Sequence, residues 1–285
     1  MTVKVIPTGA ALGAEVQGVD LSGPLSANDL EAIKQAWSDH LVLLFRDQNL
    51  NDDALISFSS RFGTLDIAPA SATDYAGSQE KSRPEIWIIS NVIEGGRPIG
   101  ALGDKEAEWH TDMSYVDEPP MASVLHSLEI PRTGGDTSFA NMYRAYETLP
   151  DDLRRDIEGL VVNHDSSTTS VGELRAGASA VLDVRAAPGA KHPMVRTHPV
   201  TGGKALYLGR RLNACVMGLS LEDSDKLLDR LWAHCTKPDF SWTHQWRVGD
   251  LLIWDNRCAI HRRDGFDGRE RRVMHRTQIK GDRPC

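Results

Sequence analysis

Residues Trp109-His110-Thr111-Asp112 place an imidazole and a carboxylate two positions apart. On a strand or an extended turn, side chains two positions apart share one face, where one metal ion can contact both; on a helix they diverge. An isolated His-x-Asp triplet is common by chance, and most such triplets belong to surfaces or turns. The pair therefore indicates a metal site only together with a further ligand.

His261, at the end of the largely apolar segment 251–261, is the candidate for that further ligand. Two histidines and one carboxylate form the facial triad of non-heme Fe(II) oxygenases, which leaves three coordination positions open. A structural zinc site needs four ligands, and the sequence offers no fourth candidate at comparable spacing. His110, Asp112 and His261, called the triad below, are thus candidate iron ligands, and catalytic zinc stays open as an alternative.

The segment from Arg262 to Cys285 is basic, with eight Arg and Lys against four Asp and Glu, in a chain whose net charge is −8. If residues 272–278 form a strand, Arg272 and Arg276 lie on one face about 13 Å apart, at about 3.3 Å per residue. Cations that face a protein interior need anionic partners, because an unpaired buried charge is costly. Beside a metal triad, the two arginines predict anionic ligands; a basic strand facing the solvent is the alternative for the arginine pair alone.

Capping signals and apolar patterns predict the elements that position these residues. Ser26 caps a first helix, and a second begins near Asn51 and runs to Phe62, before Gly63. Further helices are predicted at 151–160 and 222–234, and strands at 41–45, 86–89, 123–130, 160–163, 204–208, 240–246, 251–254 and 273–280. Many short strands without βαβ alternation predict a mainly β fold with helical insertions, either a β-sandwich or a jelly roll.

Two stretches rich in small and polar residues interrupt these elements, at about 66–84 and 165–190. Both are predicted to be flexible lid segments, and a disordered surface loop is the alternative for the second. We expect residues 1–285 to form a single domain, because jelly-roll folds can exceed 200 residues.

The composition bounds the partners and the setting of the chain. Its 40% hydrophobic and 25% charged residues are typical of a globular protein, and a pI near 5.7 disfavours binding to nucleic acid or to an anionic membrane. The N-terminus lacks the apolar run of a signal peptide, and four widely spaced cysteines predict neither a zinc ribbon nor disulfides. We expect a cytoplasmic protein with a small-molecule partner, and a homo-oligomer (dimer or tetramer) on general frequency.

The ordered motifs of the chain resemble those of the taurine/2,4-dichlorophenoxyacetate dioxygenases (TauD/TfdA). These are Fe(II)- and 2-oxoglutarate-dependent enzymes with a double-stranded β-helix, a cupin-like jelly roll. The motifs that carry the resemblance span nearly the whole chain and comprise residues 43–48, 61–63, 109–112, 131–137, 254–257, 261 and 271–276.

The resemblance implies roles for individual residues. The triad would bind the iron, and Arg272, eleven residues after His261, would pair with the far carboxylate of 2-oxoglutarate. Thr137 matches the hydroxyl that shares this carboxylate, and Trp254 matches a tryptophan beside the cosubstrate. The two-pronged guanidinium of arginine suits a carboxylate better than lysine would.

On the substrate side, the resemblance implies that Arg276 holds an anionic group, a carboxylate or a sulfonate. Ala68 stands where taurine enzymes carry a histidine that helps to hold the sulfonate, so taurine is disfavoured. Leu212 stands where they carry a pocket phenylalanine, and Asn91 is a candidate polar group of the pocket, with a turn asparagine as the alternative.

We therefore expect a dioxygenase that uses Fe(II), 2-oxoglutarate and O2 to hydroxylate a small anionic organic substrate, in some cases with cleavage of the product, and releases succinate and CO2. Two alternatives of other classes are a zinc-dependent hydrolase on the same three residues and a non-catalytic jelly-roll binding module. The hydrolase lacks an evident basic glutamate beside His110, and the binding module would tolerate loss of the triad.

Overall fold

The computed structural model describes residues 3–68 and 83–285, so most of the segment predicted as a lid at 66–84 lies outside the described residues. The strands, in chain order, are β1 (Lys4–Pro7), β2 (Ala14–Gln17), β3 (Val42–Phe45), β4 (Trp87–Ser90), β5 (Ile93–Glu94), β6 (Arg97–Pro98), β7 (Ala101–Leu102), β8 (Ala107–His110), β9 (Ala122–Glu129), β10 (Thr137–Asn141), β11 (Val161–Asp165), β12 (Gly189–Pro193), β13 (Val195–Thr197), β14 (Lys204–Leu206), β15 (Cys215–Val216), β16 (Ser241–His244), β17 (Leu251–Asp255), β18 (Ala259–Arg263) and β19 (Val273–Ile279). The helices are α1 (Ala27–His40), α2 (Asp52–Ser59), α3 (Met142–Glu147), α4 (Asp151–Asp156) and α5 (Leu221–Cys235).

Two sheets form the body of the fold. The larger has the strand order β1-β2-β3-β17-β9-β19-β4-β7, and the smaller has the order β16-β10-β18-β8. Most pairs are antiparallel, and neighbours such as β9 and β19 are far apart in the chain. This is the mainly β, jelly-roll architecture that the sequence predicts.

Alternating side chains of the large sheet divide the core into two parts. On β3, Val42 and Leu44 pack in one core with Phe139 of the small sheet, whereas Leu43 and Phe45 pack in a second core with α1 and α2. Successive strand residues point to opposite faces, so an uninterrupted apolar strand such as β3 must be covered on both sides. Each fully buried Leu or Phe contributes about 1.5–3 kcal/mol to this packing.

The predicted helices form with small changes at their ends. Ser26 and Asn51 are the N-caps of α1 and α2, and their side chains accept hydrogen bonds from the backbone N–H groups of Asp29 and Ala54. α2 ends at Ser59 rather than Phe62, because the backbone then tightens to bonds three residues apart, from Arg61 N–H to the Phe58 carbonyl and onward.

Two predictions near the C-terminus change in detail. The apolar segment 251–261 forms parts of two strands in different sheets, β17 in the large sheet and the first residues of β18 in the small one, so His261 lies in the middle of β18. Arg272 precedes β19 instead of lying in it. No helix among the described residues is long and apolar enough to cross a membrane.

Candidate active site

The three residues of the triad meet on one edge of the small sheet. His110 ends β8 and lies opposite His261 on the paired strand β18, with the two ring centres 4.2 Å apart. Asp112 follows two residues after His110, and its Oδ1 lies 3.8 Å from His110 Nε2 and 4.0 Å from His261 Nε2. One ligand atom from each residue falls within 4.8 Å of the others, which is close enough for a single ion to contact all three.

The Asp112 carboxylate is held from both sides. Its Oδ2 accepts a hydrogen bond of 2.6 Å from Ser123 Oγ on β9, and its Oδ1 accepts one of 3.1 Å from Arg276 Nη1 on β19. Met113, directly after it, has a left-handed backbone with φ of 48°. Such a conformation costs about 1 kcal/mol or more in a non-glycine residue and is often found at functional sites.

Burial and the neighbouring charges favour the metal-binding form of all three groups. Burial by itself would raise the pKa of Asp112, but Arg276 and the two histidines hold it well below its usual range. Burial lowers the pKa of His110, and it lowers that of His261 to about 3. His110 Nδ1 lies 2.6 Å from the Glu108 carbonyl and donates to it as N–H, which leaves Nε2 free to bind a metal.

A second cluster of potential ligands, His198, Asp255 and Cys258, is already saturated by the protein itself. His198 Nε2 lies 3.1 Å from Asp255 Oδ2, and Arg257 donates to both oxygens of the same carboxylate. His198 Nδ1 accepts from two backbone N–H groups. The hydrogen bonds of His198 therefore leave neither of its ring nitrogens free for a metal. The cluster instead ties His198 to Asp255 at the end of β17.

Arg272 is a buried cation with few partners. Its side chain belongs to a residue only 1% exposed, and its Nε and Nη1 make no hydrogen bond to any described residue. Burial, and then the neighbouring Arg263, lower its pKa to about 9. Because an unpaired buried charge is unfavourable, this guanidinium has the properties expected of a group that waits for an anionic ligand such as the carboxylate of 2-oxoglutarate.

Thr137 and Trp254 occupy different positions relative to the triad. The Trp254 ring packs 4.8 Å from the ring of His261, and its Nε1 donates to Asn256 Oδ1 over 2.9 Å. Thr137 begins β10 opposite Arg263, and its hydroxyl accepts a 3.0 Å hydrogen bond from Trp246 Nε1. Trp254 thus supports a triad residue directly, whereas Thr137 has its hydroxyl proton still available for a ligand.

A cavity of about 610 Å³ opens beside the triad. Arg276 lines it, with its guanidinium 4.7 Å from the centre of the Trp87 ring. The other lining groups are largely apolar and include Ile89, Leu102 and Met113. Residues 169–171 and 173–176, which belong to the segment predicted as a lid, also line the cavity.

Two substrate-pocket predictions change when the side chains are placed. Leu212 is 37% exposed and does not line the cavity, because the turn after β14 directs Arg210 towards the cavity and leaves Leu212 at the surface. Asn91 does line the cavity, but its Nδ2 donates to the carbonyls of Gly268 and Glu270, and its Oδ1 accepts from the Arg272 backbone N–H. Its amide is therefore used to hold the loop before β19.

Sequence reasoning missed several residues that the fold brings to the cavity. Tyr115, Arg175 and Arg210 all line it, as does Trp87. Tyr115 lies three residues after Asp112, and this short spacing was a signal that could have identified it. Arg175 and Arg210 lie far from every motif, and nothing in their local sequence indicates the site.

The chain is similar over most of its length to known enzymes. The family model described as "Taurine catabolism dioxygenase TauD, TfdA family" matches residues 4–278. Pentalenolactone F synthase of Streptomyces arenae is 33% identical over 100% of this chain and 97% of its own. The alpha-ketoglutarate-dependent 2,4-dichlorophenoxyacetate dioxygenase of Cupriavidus pinatubonensis is 32% identical over 99% of each chain. The crystal structure of a putative alpha-ketoglutarate-dependent taurine dioxygenase from Burkholderia xenovorans superposes with a TM-score of 0.79 at 31% identity and covers 99% of this chain and 91% of its own.

Proposed function

This chain belongs to the TauD/TfdA family of dioxygenases, and on that premise we propose that it oxidises a small anionic organic substrate with a largely apolar body. As a member of the family it is an oxidoreductase that depends on Fe(II), 2-oxoglutarate and O2. The observation that carries the proposal for this chain is the convergence of the triad at the wall of a cavity that also contains an arginine.

The triad would hold the iron. His110 and His261 offer neutral imidazole nitrogens, and Asp112 offers a carboxylate that Ser123 and Arg276 orient. When bound, Fe(II) with 2-oxoglutarate supplies the oxidising power from O2, with release of succinate and CO2. The protein residues would contribute the geometry, because His110, Asp112 and His261 supply only three ligand atoms and would leave coordination positions open for cosubstrate and O2.

Arg272 would bind the far carboxylate of 2-oxoglutarate. The support for this role is its burial together with nitrogens that make no hydrogen bond to the described residues, so that a carboxylate can accept charge-assisted hydrogen bonds from this guanidinium. Thr137 would add its hydroxyl proton to the same group, and Trp254 would keep His261 in place. We propose a positioning role for Asn91, since it ties the Arg272 backbone to the loop before β19.

Arg276 would bind the anionic group of the substrate. Its Nη1 donates to Asp112, and its guanidinium lies over the ring of Trp87. It lines the cavity next to the triad. A substrate anion on this guanidinium would lie beside the iron, with its apolar part against Ile89 and Leu102. The C–H bond next to the anionic group is then the one presented for oxidation.

The setting that we propose is a single-domain, cytoplasmic homo-oligomer. The cytoplasm is supported by the cysteines, since Cys215, Cys235, Cys258 and Cys285 form no disulfide with one another. A homo-oligomer is supported only by general frequency among enzymes, and light scattering of the purified chain tests it.

The test begins without O2. Fe(II) and 2-oxoglutarate are added to the purified protein, and we expect a weak visible charge-transfer band that is lost in His110→Ala and Asp112→Ala. Small carboxylates and sulfonates are then screened for substrate-dependent O2 uptake and succinate release. The matched control is Arg269→Gln, since Arg269 is an exposed arginine three residues before Arg272 and pairs with Asp267.

The band should persist in Arg269→Gln and require far more 2-oxoglutarate in Arg272→Gln. A protein that forms no such band, and that hydrolyses a substrate without 2-oxoglutarate or O2, would refute the proposal in favour of a zinc hydrolase. Anion binding that is unchanged in Asp112→Ala, without any turnover, would favour a binding module instead.

A further inference from the structure

Three guanidinium groups face the cavity beside the triad, and they differ in how far the protein satisfies them. Arg210 holds the backbone of Thr168 and Thr169, since its Nη1 and Nη2 donate to the carbonyls of these two residues and to the Thr168 hydroxyl. Its Nη2 also lies 3.5 Å from a carboxylate oxygen of Asp165. Arg210 therefore has its charge and most of its donors engaged by the protein.

Arg175 is much less satisfied. Its Nε donates to the Thr168 carbonyl over 3.1 Å, and its guanidinium lies 4.3 Å from the centre of the Tyr115 ring. Neither of its Nη nitrogens contacts a hydrogen-bond acceptor among residues 3–68 and 83–285. A stacked guanidinium with both outer nitrogens free is oriented to bind an oxyanion with two hydrogen bonds.

The carboxylates of the cavity do not neutralise Arg175. The Asp165 carboxylate forms an ion pair with Arg210, and the Glu173 carboxylate forms one of 2.5 Å with Lys105. Asp112 pairs with Arg276, and a bound metal ion would draw on the same carboxylate. Within the part of the chain that the structure describes, the cavity thus has two cations, Arg276 and Arg175, that call for anionic partners from a ligand.

The hydroxyl of Tyr115 adds a neutral donor to the cavity, on the ring that Arg175 contacts. Burial raises the pKa of Tyr115 and outweighs the opposite effect of the positive charges of Arg175, Arg276 and Arg210, so the hydroxyl stays protonated. The hydroxyl has no hydrogen-bond partner among the described residues, and its residue is fixed by the backbone bond from Ala190 N–H to the Tyr115 carbonyl. A protonated hydroxyl on the ring against which a free guanidinium packs suits an oxyanion.

We propose that Arg175 and Tyr115 form a second anion subsite, and that the substrate carries two acidic groups, one on Arg276 and the other on this pair. The inference rests on the proposed function, because it assumes that the cavity beside the triad is the substrate cavity. It narrows the substrate class from small organic anions to dianions in which an apolar body carries both acidic groups.

The test uses the protein saturated with Mn(II) and N-oxalylglycine, so that the cosubstrate position is filled. Two probes of similar shape are titrated by calorimetry: 4-methylphenylacetate, with one carboxylate, and 1,4-phenylenediacetate, with two. The wild type should bind the dianion about 10-fold to 100-fold more tightly, the range typical of a charge-assisted hydrogen-bonding group.

Arg175→Gln should abolish most of this preference, because it should lower the affinity for the dianion and leave the affinity for the monoanion unchanged. Tyr115→Phe, which keeps the ring, should make the preference smaller. The matched control is Arg185→Gln, an arginine of the same segment that pairs with Asp183 at the surface. The control should keep the full preference. Unchanged affinity for N-oxalylglycine in all three variants shows that the fold and the cosubstrate site are intact.

Equal affinity of the wild type for both probes would overturn the inference and leave the proposed function standing. Equal weakening of both probes in Arg175→Gln would do the same, since it would indicate a general effect on the cavity. A wild type that binds no N-oxalylglycine would overturn the proposed function, and the inference with it.

Discussion

Replacing Arg272 by methionine should have opposite effects on stability and on cosubstrate binding. The guanidinium is buried, and two of its nitrogens have no partner in the described part of the chain. In the protein without metal and cosubstrate, the charge is therefore only a cost. Methionine has a similar length and no charge, so Arg272→Met should stabilise the ligand-free protein and weaken its binding of 2-oxoglutarate.

The size of the cost follows from the pKa. Burial, reinforced by Arg263, lowers the pKa of Arg272 from its ordinary value to about 9. At 1.36 kcal/mol for each unit this corresponds to roughly 5 kcal/mol, which is an upper bound because the structure relaxes around the charge. We expect a gain of about 1–4 kcal/mol, or about 2–10 °C in the melting temperature.

The pH dependence gives the expected gain a sign that can be checked. Burial of the charged guanidinium destabilises the folded protein fully at any pH at which Arg272 keeps its proton in the folded state. For a folded pKa of about 9, this is the range below pH 9. The penalty is relieved as the pH rises through that value. The advantage of Arg272→Met should be complete at pH 7 and begin to shrink above pH 9.

The assay has two arms and two controls. Thermal unfolding is followed after removal of metal with a chelator, and N-oxalylglycine binding is measured by calorimetry with Mn(II) present. The affinity should fall by about 30-fold or more, since removal of one partner of a buried ion pair costs about 2–5 kcal/mol. Arg272→Lys keeps the charge and should show no gain in stability, and Arg269→Gln should change neither quantity. A less stable Arg272→Met with unchanged affinity would refute the reasoning.

Three further predictions concern the surroundings of the triad. Ser123→Ala removes the 2.6 Å hydrogen bond to Asp112 Oδ2 and should weaken Mn(II) binding about 10-fold to 100-fold in a metal titration; unchanged metal affinity would contradict the orienting role of Ser123. The metal-free protein should lose stability as the pH falls below 6.5, since the unfolded chain takes up protons that buried His261, with a pKa lowered to about 3, refuses; His261→Gln should flatten this slope in urea unfolding, and an unchanged slope would argue against it. Gly209→Ala should cost about 3 kcal/mol or more, because its new Cβ would lie 1.9 Å from His164 Nδ1, whereas Gly202→Ala, at a similar φ in open space, should cost about 1 kcal/mol; equal costs would show that contact with His164 is not the cause.

The sequence predicted those features that depend on local pattern. Ser26 and Asn51 mark helix starts because an N-cap side chain needs only its own neighbours. The strands at 42–45 and 251–255 were predictable from their apolar runs, which suit a sheet covered on both faces. The His-x-Asp spacing indicated a shared face before any fold was known.

Tertiary structure decided which charges are satisfied. Arg210 and Arg175 have the same side chain and lie in loops, yet one is engaged by backbone carbonyls and the other keeps its outer nitrogens free. Tertiary structure also decided the position of Leu212, because in the turn after β14 the fold directs Arg210 rather than Leu212 towards the cavity. Sequence patterns have periods of two or about 3.6 residues and specify a face. Contacts between residues far apart in the chain, such as that of Arg276 with Asp112, depend on how the sheets pair, and only the folded chain brings them together.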